Sequence, residues 1–386
     1  MPRTLHIAPL LLFVAACGVK GDGKGEKHQG DPTAPSAASI VSIDPLGSHD
    51  PSPGVALDPS LADDQPRPVM QLQVVLDRLG FTPGVVDGRE GLSTRNAIAG
   101  FQEAQNLPVT GKVDPATLAK LEAWKNIPAT RVVTIPDDFA AGPFQPTPAK
   151  VADQAKLDRL GYQSLDEKLA ERFHTTPETL AMLNPGGAPA SAETPGAGGA
   201  QVTSVGRFRA GQQVRVPNVG ADRIEPNAPD DRGWRATLAS LGVGSAQPAA
   251  AKIVVSKSAG TLKAYDAAGK LIGMYTATMG SHRDPLPLGS WKITAILHSP
   301  DFAYDPDLLW DVPDNVTKQR LPPGPNGPVG VAWLDLDKEH YGIHGTPEPS
   351  TIGRAQSHGC VRLTNWNVAR LAQMVRVGTQ VAFEAK

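Results

Sequence analysis

From Lys252 to Phe383 apolar residues fall at alternate positions in short runs separated by turn residues. That period leaves little room for anything but β-structure. Lys252-Ile253-Val254-Val255-Ser256 reads as a strand, with Thr261-Leu262-Lys263-Ala264-Tyr265 as its partner across Ser258-Ala259-Gly260. Leu271-Ile272-Gly273-Met274-Tyr275 follows the Gly269 turn, Val329 to Leu334 and His340 to His344 return to strand, and Gln380 to Phe383 closes the pattern. Asn365 can cap one helix carrying Val368, Leu371, Ala372 and Val375. Short strands at this spacing predict a mainly-β, sandwich- or barrel-like domain over 251–386. Residues Pro300 to Val329, with many prolines and aspartates and with Tyr304, Leu308, Leu309 and Trp310, read as a long surface loop.

The period upstream is different. Val69, Leu72, Val75, Leu76 and Leu79 recur at three- and four-residue spacing, so a helix is expected there, ended by Gly80. Ser93 can cap a second helix with Ala97, Ile98 and Phe101 on one face, and Pro115 suits the first turn of a third through Leu118 and Leu121. A small three-helix domain over 66–126 follows. In 150–219, Leu165, Leu169 and Phe173 mark one helix, with His174 as a surface residue at its end. Thr176-Pro177 opens another, and Gly211 to Pro217 alternates like a strand. Gly (39) and Pro (37) make about a fifth of the 386 residues, and 127–149 and 220–250 read as linkers between compact units. The formal charge of −2 implies no pull toward nucleic acid.

Two of these units resemble known families. Leu72-Gln73, Leu79-Gly80-Phe81, Gly84, Asp87-Gly88, Ala97-Ile98, Phe101-Gln102, Thr110-Gly111 and Asp114 resemble the type 1 peptidoglycan-binding domain. Leu183-Asn184-Pro185-Gly186, in a helix–helix–strand order, resembles LysM, a glycan-binding module, although its usual opening strand is not recognisable. A plain structural spacer is the other reading of that α+β segment.

The N-terminus has a short basic start, an apolar stretch from Ile7 to Ala16 too short to span a bilayer, and Val14-Ala15-Ala16-Cys17. It resembles a bacterial lipoprotein signal: 1–16 would be the signal peptide, Cys17 the lipidated residue, and 17–65 a disordered tether. Gly18 in place of Asp implies the outer membrane, with the protein in the periplasm. An ordinary signal peptide is the alternative.

The chain has two cysteines, which excludes a disulfide framework and a multi-cysteine metal site. With Cys17 lipidated, Cys360 has no partner. It lies in Ser357-His358-Gly359-Cys360-Val361-Arg362-Leu363, and His344 lies upstream in Tyr341-Gly342-Ile343-His344-Gly345-Thr346. A thiolate attacks and a thiol does not, and a histidine within reach supplies the base. This pair of motifs resembles the signature of the L,D-transpeptidase (YkuD-like) catalytic domain. Pro285-Leu286-Pro287-Leu288-Gly289-Ser290-Trp291 echoes the same family's turn entering a strand. Many relatives have Asn two places after the cysteine where this chain has Arg362.

The resemblance implies acyl transfer on peptidoglycan stems without a cofactor. Cys360 would be the nucleophile, His344 its proton acceptor and donor, and the backbone N–H groups around His358, Gly359 and Cys360 the oxyanion site. The donor would be a diamino acid at stem position three, releasing D-Ala. An amine acceptor would give 3→3 crosslinks or anchor a protein to the wall. Arg362, Arg354 and Ser357 are candidate substrate contacts, with a solvated or structural ion pair as the other reading of each arginine, and the resemblance implies that Pro300 to Val329 is a lid or cleft wall over the site, with an ordinary surface loop as the alternative. Water as acceptor, giving an L,D-carboxypeptidase or crosslink endopeptidase, is a rival reading, and a non-catalytic wall-binding lipoprotein is another. A zinc peptidase using His340, His344, His358 and Cys360 needs a helix, and the alternation around Gly342 argues for a strand.

Overall fold

The computed structural model describes residues 63, 65–189, 207–220, 224–308 and 317–386. Helix α1 (Pro68–Arg78) starts on a proline and buries Met70, Val74 and Leu76. Strand β1 (Phe81–Thr82) and helix α2 (Leu92–Ala104) follow. The cap of α2 is Gly91, not Ser93, which lies inside the first turn. Helix α3 (Pro115–Leu121) is capped by Asp114, whose carboxylate accepts from Thr117 N at 2.8 Å. Gln73 ties α1 to the Asp87-Gly88 turn: Oε1 accepts from both amides and Nε2 donates to Arg89 O.

This helical module is not a bead on a linker. Its β1 pairs in parallel with a strand of the C-terminal domain, Phe81 opposite Met274. Gly100 of α2 lies so close to Met274 that a Cβ would stand 2.8 Å from its methyl group.

The middle segment also has a partner that the sequence did not reveal. Strand β2 (Thr130–Thr134) pairs antiparallel with β3 (Gln213–Pro217), Thr130 opposite Pro217. Between them come α4 (Leu165–Arg172) and α5 (Pro177–Leu183), capped by Ser164 and Thr176. Apart from the single helical turns Asp137–Ala140 and Val151–Gln154 the order is therefore strand–helix–helix–strand, and the expected linker at 127–149 is in large part folded structure. Phe139, within it, is buried in the same core as Leu169, Phe173, Leu180 and Val214. The linker expected at 220–250 is corrected too. It contains α6 (Trp234–Leu241), whose Trp234, Leu238 and Leu241 are buried in the C-terminal core.

The C-terminal domain supplies strands β4 (Lys252–Ser256), β5 (Thr261–Tyr265), β6 (Leu271–Thr276), β7 (Thr278–Met279), β8 (Gly289–His298), β9 (Phe302–Tyr304), β10 (Gln319–Leu321), β11 (Ala332–Leu336), β12 (Gly342–His344) and β13 (Val361–Arg362). Helix α7 (Asn365–Met374) and β14 (Gln380–Glu384) complete it. A ten-stranded sheet runs β1-β6-β5-β4-β14-β8-β11-β12-β13-β7. Strand β8 joins its halves, pairing through Gly289–Lys292 with β14 and through Ile293–His298 with β11. Helix α7 packs on this sheet through Trp366, Val368 and Leu371. The lid region forms a β9–β10 hairpin whose base docks on the middle segment. Leu160 N donates to Pro323 O and Asn326 N to Leu160 O, both at 3.0 Å. Leu309, Trp310 and the Cys17 segment lie outside the described residues.

Two buried polar clusters tie the three modules together. In one, Asp77 of α1 meets Arg370 of α7 and His174 of the middle segment. His174, expected at the surface, is fully buried. Its ring stacks on Trp366 at 5.1 Å because Asp77 and Leu241 O give both ring nitrogens a partner. In the other, Asn365 of α7 donates from Nδ2 to Glu171 of α4 at 2.9 Å, and Tyr162 Oη lies 3.1 Å from Glu171 Oε2. Thr364, not Asn365, caps α7.

Burial pushes the Glu171 carboxyl up to about 8. A carboxyl raised on folding contributes full stability below its ordinary value of 4.5, and that stability is lost as pH rises through 8. Glu171→Gln keeps the hydrogen bonds and cannot ionise. It should therefore match the wild type near pH 4.5 and exceed it by on the order of 3 kcal/mol at pH 8 and above. Urea unfolding across that range checks this; a constant gap would rule out ionisation of Glu171 as the cause.

Candidate active site

His344 ends β12, and Cys360 lies immediately ahead of β13. The two short strands are parallel, with Ile343 opposite Val361 and His344 opposite Arg362. Side chains alternate along a strand, so Gly342, His344, Cys360 and Arg362 fall on one face. One strand spacing and a two-residue offset separate the Cα atoms of His344 and Cys360 by about 8 Å, a span that two facing side chains can close.

The imidazole is held on several sides. Its Nδ1 lies 2.7 Å from Gly345 O. A carbonyl only accepts, so Nδ1 carries the proton and Nε2 keeps its lone pair. Trp333, opposite His344 across the β11–β12 ladder, stacks on the ring with centroids 5.3 Å and planes 18° apart. The Trp333 ring also covers Gly342, where a Cβ would stand 2.4 Å from it, and its Nε1 donates to Asp335 Oδ1 at 3.1 Å. Burial, with the Arg362 charge adding to it, holds the His344 pKa down at about 3. The ring is neutral throughout the physiological range.

Cys360 keeps partial solvent access, and its thiol donates toward His340 O at 3.6 Å. Surrounding protein pushes the thiol pKa up, with Asp335 adding to the push, while the Gly342 amide and Arg362 draw it back. The resting pair is thus a neutral thiol and a neutral imidazole. Arg362 bears on both: it disfavours the imidazolium and favours the thiolate.

The loop before the sulfur is fixed from within. The Ser357 hydroxyl accepts from Gly280 N at 2.6 Å and donates to Cys360 O at 2.7 Å, while Ser357 N donates to Gly280 O. Ser357 is buried and its hydroxyl closes the loop, so the expected substrate contact is corrected to a structural one. Gly359 has φ +102°, and a Cβ there would stand 2.6 Å from the Tyr341 ring, so only glycine fits. His358 is half-buried in the same loop and has a partner of its own.

The structure separates the two arginines. Arg362 falls on the strand face that carries His344 and Cys360. Arg354 is exposed and lines a cleft of about 380 Å³ shared by all three modules, together with Arg89, Glu90, Leu92, Glu178 and Met182. His340 adopts φ +66° ahead of an extended strand, so it shares no helical face with His344. Among the described residues no three His, Cys, Asp or Glu side chains are grouped to hold a metal ion.

Comparison with known proteins bears on this site directly. The L,D-transpeptidase catalytic domain profile (YkuD) matches residues 250–382, and a peptidoglycan binding domain profile matches 65–121. YkuD of Bacillus licheniformis, named as an L,D-transpeptidase, is 31% identical over 216 residues, covering 56% of this chain and 91% of that protein. The chain belongs to the L,D-transpeptidase family. Bacillus subtilis YkuD is 50% identical over 66 residues, 17% of this chain and 38% of its own length. A solved L,D-transpeptidase from Mycobacterium smegmatis is 23% identical with a TM-score of 0.29, covering 34% of this chain and 58% of that one. This L,D-transpeptidase-family chain is accordingly an enzyme. Its peptidoglycan-binding domain makes peptidoglycan its partner and the cell wall or periplasm its location.

Sequence reasoning passed over Trp333, Asp335 and the Gly345 carbonyl. The first two had a signal: in Ala332-Trp333-Leu334-Asp335-Leu336 the small and aliphatic residues are buried, leaving Trp333 and Asp335 on the opposite face. The carbonyl had none, since any residue carries one.

Proposed function

We propose that this L,D-transpeptidase uses Cys360 as nucleophile and His344 as base to form 3→3 crosslinks in peptidoglycan. The observation that carries this reading is a neutral imidazole, its proton fixed on Nδ1 by Gly345 O, on the strand face that also bears Cys360. Because the ring is weakly basic and the thiol weakly acidic here, an ion pair is disfavoured at rest. Proton transfer to Nε2 is therefore coupled to attack of sulfur on the carbonyl carbon of the diamino acid at stem position three. The C–N bond to the terminal D-residue breaks, the imidazolium protonates the departing amine, and a thioester remains. A side-chain amine of a second stem then attacks; its proton passes to His344, the C–S bond breaks, and the thiol is restored. Backbone N–H groups at His358, Gly359 and Cys360 stabilise the oxyanion, and Arg362 favours the thiolate as it forms. Arg354 pairs with a stem carboxylate in the three-module cleft.

The strand–helix–helix–strand order of the middle segment supports a LysM-like contact with glycan. Cys17 is the proposed lipid attachment point, with the outer membrane as the anchor and 17–65 as tether. Among the described residues no helix is long and apolar enough to cross a membrane.

Mass analysis of muropeptides after incubation with the purified protein tests the reading. New 3→3 dimers are expected. Shortened monomers alone would make it an L,D-carboxypeptidase, cleaved crosslinks an endopeptidase, and an unchanged profile a wall-binding protein without activity.

A further inference from the structure

Gly345, whose carbonyl fixes the His344 tautomer, packs against the Asn365 side chain, which is itself held from outside the catalytic domain. Gly345 and Gly330 face the Asn365 side chain so closely that a Cβ on either would stand 2.3 Å or 2.0 Å from Asn365 Oδ1. That oxygen accepts from Val331 N at 3.3 Å. The other end of the amide donates to Pro325 O at 3.1 Å and to Glu171 Oε1 at 2.9 Å. Pro325 O can only accept, which fixes which end of the amide is nitrogen. Glu171 and Asn365 are both buried, and Glu171 comes from α4 of the middle segment, far away in sequence.

We propose that Glu171 is a positioning residue for His344: it holds the Asn365 amide against the Gly345 backbone, and so sets the carbonyl that orients the catalytic ring. The middle segment is then a working part of the active site as well as a candidate wall contact. If the Glu171 acceptor is lost, the Asn365 amide keeps only Pro325 O on its donor side. Oδ1 can then turn away from Gly330 and Gly345, which leaves the Gly345 N–H bond to Val329 O to hold that turn without side-chain packing behind it. A misplacement of about 1 Å in catalytic geometry costs up to about a hundredfold in rate. The titratable groups facing Glu171 are Glu167 and Tyr162, both of the middle segment; from α7 it meets the uncharged Asn365.

The inference rests on His344 acting as the base for Cys360, so two readouts are needed on the full-length protein. One is kcat and KM for crosslink formation; the other is the rate of Cys360 alkylation by iodoacetamide, which requires no peptidoglycan. Glu171→Ala and Asn365→Ala are expected to lower kcat and alkylation about tenfold or more with KM within twofold, while Glu171→Gln stays within about threefold of wild type at pH 7. The inference is overturned if folded Glu171→Ala keeps both rates within twofold, or if Glu171→Gln falls as far as Glu171→Ala. If the alanine variants do not fold, Glu171→Met, which fills the space without an acceptor, replaces them, and both rates within twofold of wild type in folded Glu171→Met overturn it. Failure of wild type to form dimers, with alkylation still dependent on Glu171, would sink the crosslinking reading and leave the positioning role standing.

Discussion

Cys360→Ala is expected to lower acyl transfer by about 10⁴-fold or more, the scale on which removing a covalent nucleophile acts. The fold should survive, because the sulfur's hydrogen bond to His340 O is long and the residue is partly exposed. Unfolding free energy should change by less than about 1 kcal/mol. Cys360→Ser should be nearly as inactive. A hydroxyl is a far weaker acid than a thiol, and a ring held at about 3 is a poor acceptor for its proton. The same ring makes a prediction about pH. Since His344 is neutral well below its ordinary value of 6.5, kcat/KM should pass through 6.5 without a step. Dimer formation followed by mass analysis, alongside a thermal melt, checks both. Residual activity above about one part in a hundred in folded Cys360→Ala would end the case for a cysteine nucleophile. A limb near pH 6.5 would show the imidazole ionising in the free enzyme.

What could be read from the sequence follows from how local each signal is. The strands 252–256, 261–265 and 271–276 appear where alternation put them, since a half-buried strand writes its burial into its own period. His344 and Cys360 come together because β12 and β13 are neighbours, yet nothing in either motif says that they pair in parallel. Non-local partners decided the rest. Thr130–Thr134 reads as part of a linker because its partner, Gln213–Pro217, lies beyond several helical elements. His174 looks like a helix-end residue until Asp77 and Trp366, from two other modules, enclose it. Trp234 reads as part of a spacer because the core that buries it is made almost wholly of later residues. Gly and Pro content suggested separate units on linkers; β1, joining the sheet edge beside β6, shows why composition alone cannot separate a linker from a strap.

Asp77→Ala should cost about 3–5 kcal/mol, the largest stability loss expected from a single polar substitution here. Arg370 meets Asp77 in bidentate fashion, Nη1 to Oδ1 at 3.2 Å and Nη2 to Oδ2 at 3.1 Å, with neither side chain reaching solvent appreciably. His174 Nδ1 lies 3.0 Å from the same Oδ2. Burial pushes the Asp77 carboxyl up, but Arg370 and His174 together outweigh it and hold the group well below the usual carboxylate range. A depressed carboxyl contributes stability above its unfolded value and loses it only as pH falls through the folded one. This junction should therefore stay intact through the mildly acidic range. Removing the carboxylate strands a guanidinium among packed side chains, where desolvation is no longer offset. Replacing the pair by apolar groups of similar size, Asp77→Leu with Arg370→Met, removes both charges and should cost less than the single change. Urea unfolding of the three proteins decides this. A loss under about 1 kcal/mol for Asp77→Ala, or a double variant weaker than the single by the full sum, would mean that the cluster is solvated and does not lock the modules. The α1, α4 and α7 faces meet at or beside these charges, so the described modules should also unfold in one transition. Separate transitions for the helical module and the sheet would show that β1 and Asp77 hold them together only weakly.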